Sequence, residues 1–272
     1  MTGFIFPETL IRSSNVLTVK KYGDKYKVIW CKSVRKKGFE ECISGYDPDQ
    51  FETNPFNNQI SKVVQTFPGE KSQIKEVEKL ENNISRAKSL IFEYAYCNKW
   101  DYFITLTISP DHYDRHDLAA YMKDLGKWLS NYNTNHKSKI SYILIPEQHK
   151  DGAWHLHGLV SGILPKHLIR NEHGYLDWPM YSRKFGYCSL DTLHDHEAVS
   201  KYITKYVTKE LLSREYGQRT YYCSKGLQRA ELLFRIPNVS DIVMQWDFEH
   251  PEGFCKTSLV ENLDFMQSVI WE

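Results

Sequence analysis

Apolar and polar positions along the chain follow two periods, and each marks a different kind of element. NVLTVKK (15–21) and KYKVIWCKS (25–33) alternate around the turn signal YGDK, which predicts a hairpin within residues 1–69. The stretch YDPDQFETNPFNNQ, rich in Asn, Pro and Asp, then reads as a loop. From 70 to 97 the spacing changes: Ile74, Val77, Leu80, Ile84, Ala87, Ile91 and Tyr94 recur every three or four residues. That period predicts a long amphipathic helix, used to pack against the next domain.

DYFITLTISP (101–110) is an alternating β-branched and aromatic strand ended by proline. A second helix is predicted over roughly 115–132, with Leu118, Met122, Leu125, Leu129 and Tyr132 on one face. KISYILIPEQ and AWHLHGLVSG read as two strands joined by a short turn, and YITKYVTK (202–209) as a final helix. Strand, helix, strand, strand, helix predicts an α+β fold, an antiparallel sheet with helices packed on it. The expected division is an N-terminal extension (1–69), a central domain (70–215) that includes the leading helix, and a C-terminal extension (216–272) packed on the same core. Neither extension has an assigned role.

Composition narrows this picture little. A net charge of +1 neither demands nor excludes a nucleic acid, but the charge is unevenly placed. Residues 20–37 are mostly basic. Lys201, Lys205, Lys209, Arg214, Arg219, Lys225 and Arg229 face only Glu210 and Glu215 within 201–229, which suits a phosphate-rich partner. Lys201 and Arg214 are the expected DNA contacts in that stretch. Six scattered cysteines without a CxxC pair offer no zinc ribbon or disulfide framework and fit a reducing cytoplasm. With no apolar run long enough to span a bilayer, the expectation is a cytoplasmic protein that does not engage a membrane. No phosphate-binding loop of the G-x-x-x-x-G-K-[ST] type occurs, so any helicase must come from elsewhere.

The candidate chemistry begins with AWHLHG. On a strand, His155 and His157 point to one face, about 6.6 Å apart at Cα, so their ring nitrogens can converge on one ion. If the preceding loop is Lys150-Asp151-Gly152, with Gly152 left-handed, Glu147 falls opposite His155 on that same face. A two-residue loop would turn Glu147 away. Two imidazoles and a carboxylate with open positions form a site for a divalent ion and a substrate oxygen. His194-Asp195-His196 has the same spacing but lies in polar surroundings before a helix, where Asp195 is an N-cap.

On a helical wheel, Val199, Ile203, Val207 and Leu211 form the packing stripe of the last helix. Tyr202 and Tyr206 make a second stripe one turn apart, with Lys205 and Lys209 just beyond, each three residues after a tyrosine. A nearby ammonium favours a phenolate, or stabilises charge developing on a phosphate.

Taken together, FITLTISP, WHLHG and YITKYVTK resemble, in this order, the three motifs of the HUH (His-hydrophobe-His) endonuclease superfamily. Within it they are similar to rolling-circle replication initiators (Rep proteins) of plasmids and single-stranded DNA phages, in the two-tyrosine, gene A-like form. The resemblance covers roughly 100–212. It implies an RRM-like antiparallel sheet that holds Mg²⁺ or Mn²⁺ through His155, His157 and Glu147. It also implies that Tyr202 or Tyr206 attacks a phosphate of single-stranded or origin hairpin DNA, giving a 5′-phosphotyrosine and a free 3′-OH. Lys205 and Lys209 would support the tyrosines, while Thr105 and Thr107 would touch DNA or support the site. A host polymerase and helicase in a bacterial cytoplasm are the implied partners. A transposase of the same superfamily and a non-catalytic DNA-binding protein that keeps the fold are the alternatives.

Overall fold

The computed structural model describes residues 11–36, 84, 86–172, 174–207, 219–250, 253 and 255–271. The chain divides into two compact units, 83–229 and a second made of 1–82 with 230–272.

In the second unit, strands β1 (Ile11–Tyr22) and β2 (Lys25–Lys36) form the expected hairpin, closed by a two-residue turn with Gly23 at φ 59°. In the 83–229 unit, a helix α1 (86–97) precedes β3 (Tyr102–Thr107), α2 (Leu118–His136), β4 (Ser141–Gln148) and β5 (Trp154–Ser161). A short hairpin, β6 (Ile169–Arg170) and β7 (Leu176–Asp177), leads into α3 (Pro179–Phe185) and β8 (Cys188–Thr192). Helix α4 (His196–Tyr202), a 3-10 turn (Ile203–Tyr206) and β9 (Tyr222–Cys223) complete the unit. The sheet order is β6-β7-β8-β3-β5-β4-β9, and every pairing is antiparallel. This is the expected α+β fold, with β8 added as the neighbour of β3.

Strand alternation divides the core of this unit in two. Ile104, Leu106, Leu144, Leu156 and Val160 pack on one face with Tyr121, Leu125 and Leu129 of α2 and Tyr181 and Phe185 of α3. Ile143, Ile145 and Leu159 pack on the other with Ile91 and Ala95 of α1 and with Ile203 and Val207. Helix α2 starts later than its apolar period alone predicts, because Asp117 caps it by accepting from the Ala120 amide at 2.9 Å. Its polar end runs on to His136. The predicted helix over 70–97 is described only at 84 and 86–97, where Ala87, Ile91 and Ala95 are buried as a packing face requires. Its earlier part lies outside the described residues.

The C-terminal extension departs from expectation. Only its first described residues stay with the 83–229 unit, where β9 pairs with β4. Strands β10 (Glu231–Ile236), β11 (Val239–Ile242), β12 (Phe248–Glu249), β13 (Cys255–Val260) and β14 (Val269–Trp271) belong instead with the N-terminal hairpin. They form a sheet of order β10-β1-β2-β13-β12 and a β11-β14 pair over a core of Leu17, Val19, Val28, Trp30, Val239 and Ile242. Residues 216–272 therefore do not extend the central core; most of them build a separate one. No helix among the described residues is long and apolar enough to cross a membrane.

Candidate active site

The β4–β5 hairpin sets the site. His149 donates its amide to the Ala153 carbonyl at 2.9 Å, leaving a three-residue loop of Lys150, Asp151 and Gly152 with Gly152 at φ 85°. That loop fixes the register, and Glu147 stands opposite His155, as the three-residue alternative predicts. The next histidine is tied in from β3: Thr105 pairs with His157 and Thr107 with His155. Each threonine hydroxyl lies near the Nδ1 of its partner, at 3.2 Å and 3.4 Å. Both rings are thereby held so that Nε2 is the edge turned outward.

The carboxylate of Glu147 reaches diagonally to His157, with 2.7 Å between Oε2 and Nε2. Burial depresses the His157 pKa more than the Glu147 charge raises it, so the ring is neutral near pH 7 and donates Nε2–H to Glu147. The His155 pKa is lowered too, by burial and then by His149. His149 is an addition to the expected set. Its ring stacks on His155 at 3.9 Å and 17°. A signal for it does exist, since Glu147-x-His149 is the same i, i+2 alternation as His155-x-His157. Among the described residues no three His, Cys, Asp or Glu side chains are grouped as a metal site. Glu147 closes onto His157, and His155 lies against His149.

Helix α4 brings the phenols to this face. Asp195 caps it by accepting from the Ala198 amide at 2.8 Å, and His196 bonds the Tyr96 carbonyl, so the second histidine pair is structural. The α-helix ends at Tyr202 and tightens into the 3-10 turn, which differs from the single helix expected through Leu211. Ile203 and Val207 are fully buried and Val199 partly, as the wheel predicts; Leu211 lies outside the described residues.

The tyrosines are not equivalent. Tyr206 packs partly into the core and stacks on His157, centroids 4.0 Å apart at 14°. Tyr202 is 45% exposed. Their hydroxyls lie 3.0 Å apart, and Phe103 of β3 touches both rings. The ammonium of Lys205 sits 3.5 Å from the Tyr202 ring centroid and 4.9 Å from that of Tyr206, so one lysine serves both. Lys205 and then the Tyr206 hydroxyl lower the Tyr202 pKa, whereas burial raises that of Tyr206. Lys209 and Arg214 lie outside the described residues. Lys201 is exposed and paired with Glu197 at 2.9 Å, one turn back on the helix.

Two phenols, an ammonium, two neutral imidazoles and a carboxylate thus converge on one face of an antiparallel sheet, a constellation suited to nucleophilic attack on a phosphate. Residues 101–211 match the family described as replication-associated protein ORF2. The matched span contains β3 through α4, which carry every site residue described above, and it supports a Rep-type protein that acts on DNA in replication. Comparison with curated proteins and with solved structures finds no match.

Proposed function

We propose that the protein nicks and rejoins single-stranded DNA at a replication origin through a 5′-phosphotyrosine intermediate and so starts rolling-circle replication. The observation that carries this reading is the Tyr202–Tyr206 hydroxyl pair set beside His157. The phenolate oxygen of one tyrosine attacks the scissile phosphorus, and a P–O–tyrosine bond forms as the P–O3′ bond breaks. The departing O3′ takes a proton and becomes the 3′-OH from which a host polymerase extends. In the reverse step a 3′-OH attacks the phosphotyrosine and restores the phosphodiester. With two phenols in contact, one can carry the DNA while the other cuts again.

His155, His157 and Glu147 fit a hard divalent ion such as Mg²⁺ or Mn²⁺, for imidazole and carboxylate are its donors and Nδ1 of both rings is already engaged by threonine. A bound ion would supply Lewis acidity to the non-bridging phosphate oxygens. Lys205 supports charge on the attacking phenol and the phosphate. Thr105 and Thr107 act through the histidines, the supporting role of the two expected for them. Lys201 and Arg214 remain candidate phosphate contacts, and a helicase is supplied by the host.

The test mixes purified protein, labelled single-stranded origin oligonucleotides and Mn²⁺, and looks for an adduct that survives denaturation. A covalent adduct lost in Tyr202→Phe/Tyr206→Phe supports the reading. No adduct with any origin-derived sequence leaves only the coarser role of DNA binding in replication.

A further inference from the structure

Strand register defines a row across the open end of the site face. Glu147 of β4 stands opposite His155 of β5, and His155 opposite Thr107 of β3. The β3–β8 ladder pairs Leu106 with Cys188, and the Thr107 amide donates to the Tyr187 carbonyl at 2.8 Å, carrying the register one residue further. Directly opposed residues project from the same side of a sheet. Leu106, Leu156 and Cys188 are buried on the α2 and α3 side, so Tyr187 projects from the face that carries Glu147, His155 and Thr107. Two strand spacings, about 10 Å, separate it from His155 at the backbone.

Tyr187 is 50% exposed, although large aromatics are usually buried. No ring or hydroxyl partner engages it among the described residues. Tyr175, 54% exposed, precedes β7, where Leu176 pairs with Leu190 and packs on the α2 and α3 side. Strand alternation therefore places Tyr175 on the site face as well. Arg183 and Lys184, also exposed, end α3 just before Tyr187. Helix α4 covers the sheet over Ile143, Ile145 and Leu159 but not this row. Exposed aromatic rings next to cations, level with a phosphate-directed site, are the features that hold unpaired bases: every base has a face to stack, and the cations meet its backbone.

We propose that Tyr187, with Tyr175 beyond it, is a stacking platform for bases of single-stranded DNA next to the scissile phosphate. The assignment rests on the reading of the site as a single-strand nuclease, and it makes Tyr187 a positioning residue. It also supplies a preference for unpaired DNA, because bases in a duplex cannot lie on the ring.

The test measures affinity for a fluorescent single-stranded oligonucleotide by anisotropy, without divalent ion, beside the adduct assay. Tyr187→Ala should weaken single-strand binding by on the order of tenfold to a hundredfold, with Tyr187→Trp and Tyr187→Phe near wild type. Single-turnover cleavage at saturating DNA should hold, so that KM rises and kcat does not. An oligonucleotide abasic at the stacked position should bind wild type and Tyr187→Ala alike, an outcome that a merely structural role would not produce. Adduct formation with unchanged affinity in Tyr187→Ala overturns the platform and leaves the nuclease standing. Tyr187-dependent binding without any adduct does the reverse, and no single-strand binding by wild type sinks both.

Discussion

The phenolic oxygens of Tyr202 and Tyr206 lie 3.0 Å apart, yet the two rings sit in unlike surroundings. Lys205 rests on the exposed Tyr202 and favours its phenolate, while burial against the sheet holds the Tyr206 proton on. Tyr202 should therefore make the first cut. Tyr206→Phe is expected to retain adduct formation on a linear oligonucleotide and to lose the second cleavage, and Tyr202→Phe to lose the first by a hundredfold or more, on the order of a missing nucleophile. The charged phenolate is the attacking form, so the rate of Tyr206→Phe should rise with pH and level off below about 10, the ordinary tyrosine value. Lys205→Met should move that midpoint upward and slow cleavage near neutrality by roughly tenfold to a hundredfold. Peptide mapping of trapped adducts decides it, and wild-type adduct found only on Tyr206 would reverse the order.

Gly158, which follows the histidine pair, is required by packing. A Cβ there would run into the carbonyl oxygen of Ile143 and stand 2.6 Å from Leu144 Cδ2. Strand β4 would have to move off β5, and Glu147 with it. Gly158→Ala is expected to cost about 1–3 kcal/mol in denaturant unfolding and to lower cleavage in step. Full stability in this variant would mean that the strands have more room than their register implies.

Much of this site is legible in residues whose signals are local. The Gly152 turn sets the register, the register puts Glu147 opposite His155, and the period of three and four puts Ile203 and Val207 in the core. Signals fail where they are short or distant. Strands β6 and β7 are two residues each, too brief for any period, and they conceal the route from β5 to β8. The change from α-helix to 3-10 at Ile203 is invisible because repeats of 3.6 and 3.0 diverge little over one turn. Pairing of Cys255 with Cys31 joins the two ends of the chain and leaves no local trace, so 216–272 reads as part of the wrong core.

Ile203 is the hinge between packing and chemistry, lying between the two tyrosines and fully buried with Ile143, Ile145 and Leu159. Ile203→Ala should cost about 2–5 kcal/mol in the same unfolding measurement. The loosened 3-10 turn should also release Tyr206 from His157 and slow cleavage even where the protein is still folded. Equal rates for folded variant and wild type would show that the stack does not depend on this anchor.

Thr105 separates metal binding from folding. Its hydroxyl meets His157 Nδ1 at 3.2 Å, and its backbone pairs with His157, so replacing the hydroxyl by a methyl leaves the strand intact. A ring whose Nδ1 has lost its partner is free to turn and to change tautomer, and it presents Nε2 less firmly. Thr105→Val should weaken Mn²⁺ binding by about 10- to 100-fold in calorimetry, the usual effect of removing such a partner. His157→Ala should abolish that binding with the fold retained, and a chelator should stop adduct formation by wild type. Mn²⁺ affinity unchanged in His157→Ala would place the ion on another face, and affinity lost there but unaltered in Thr105→Val would show that Glu147 alone orients the ring.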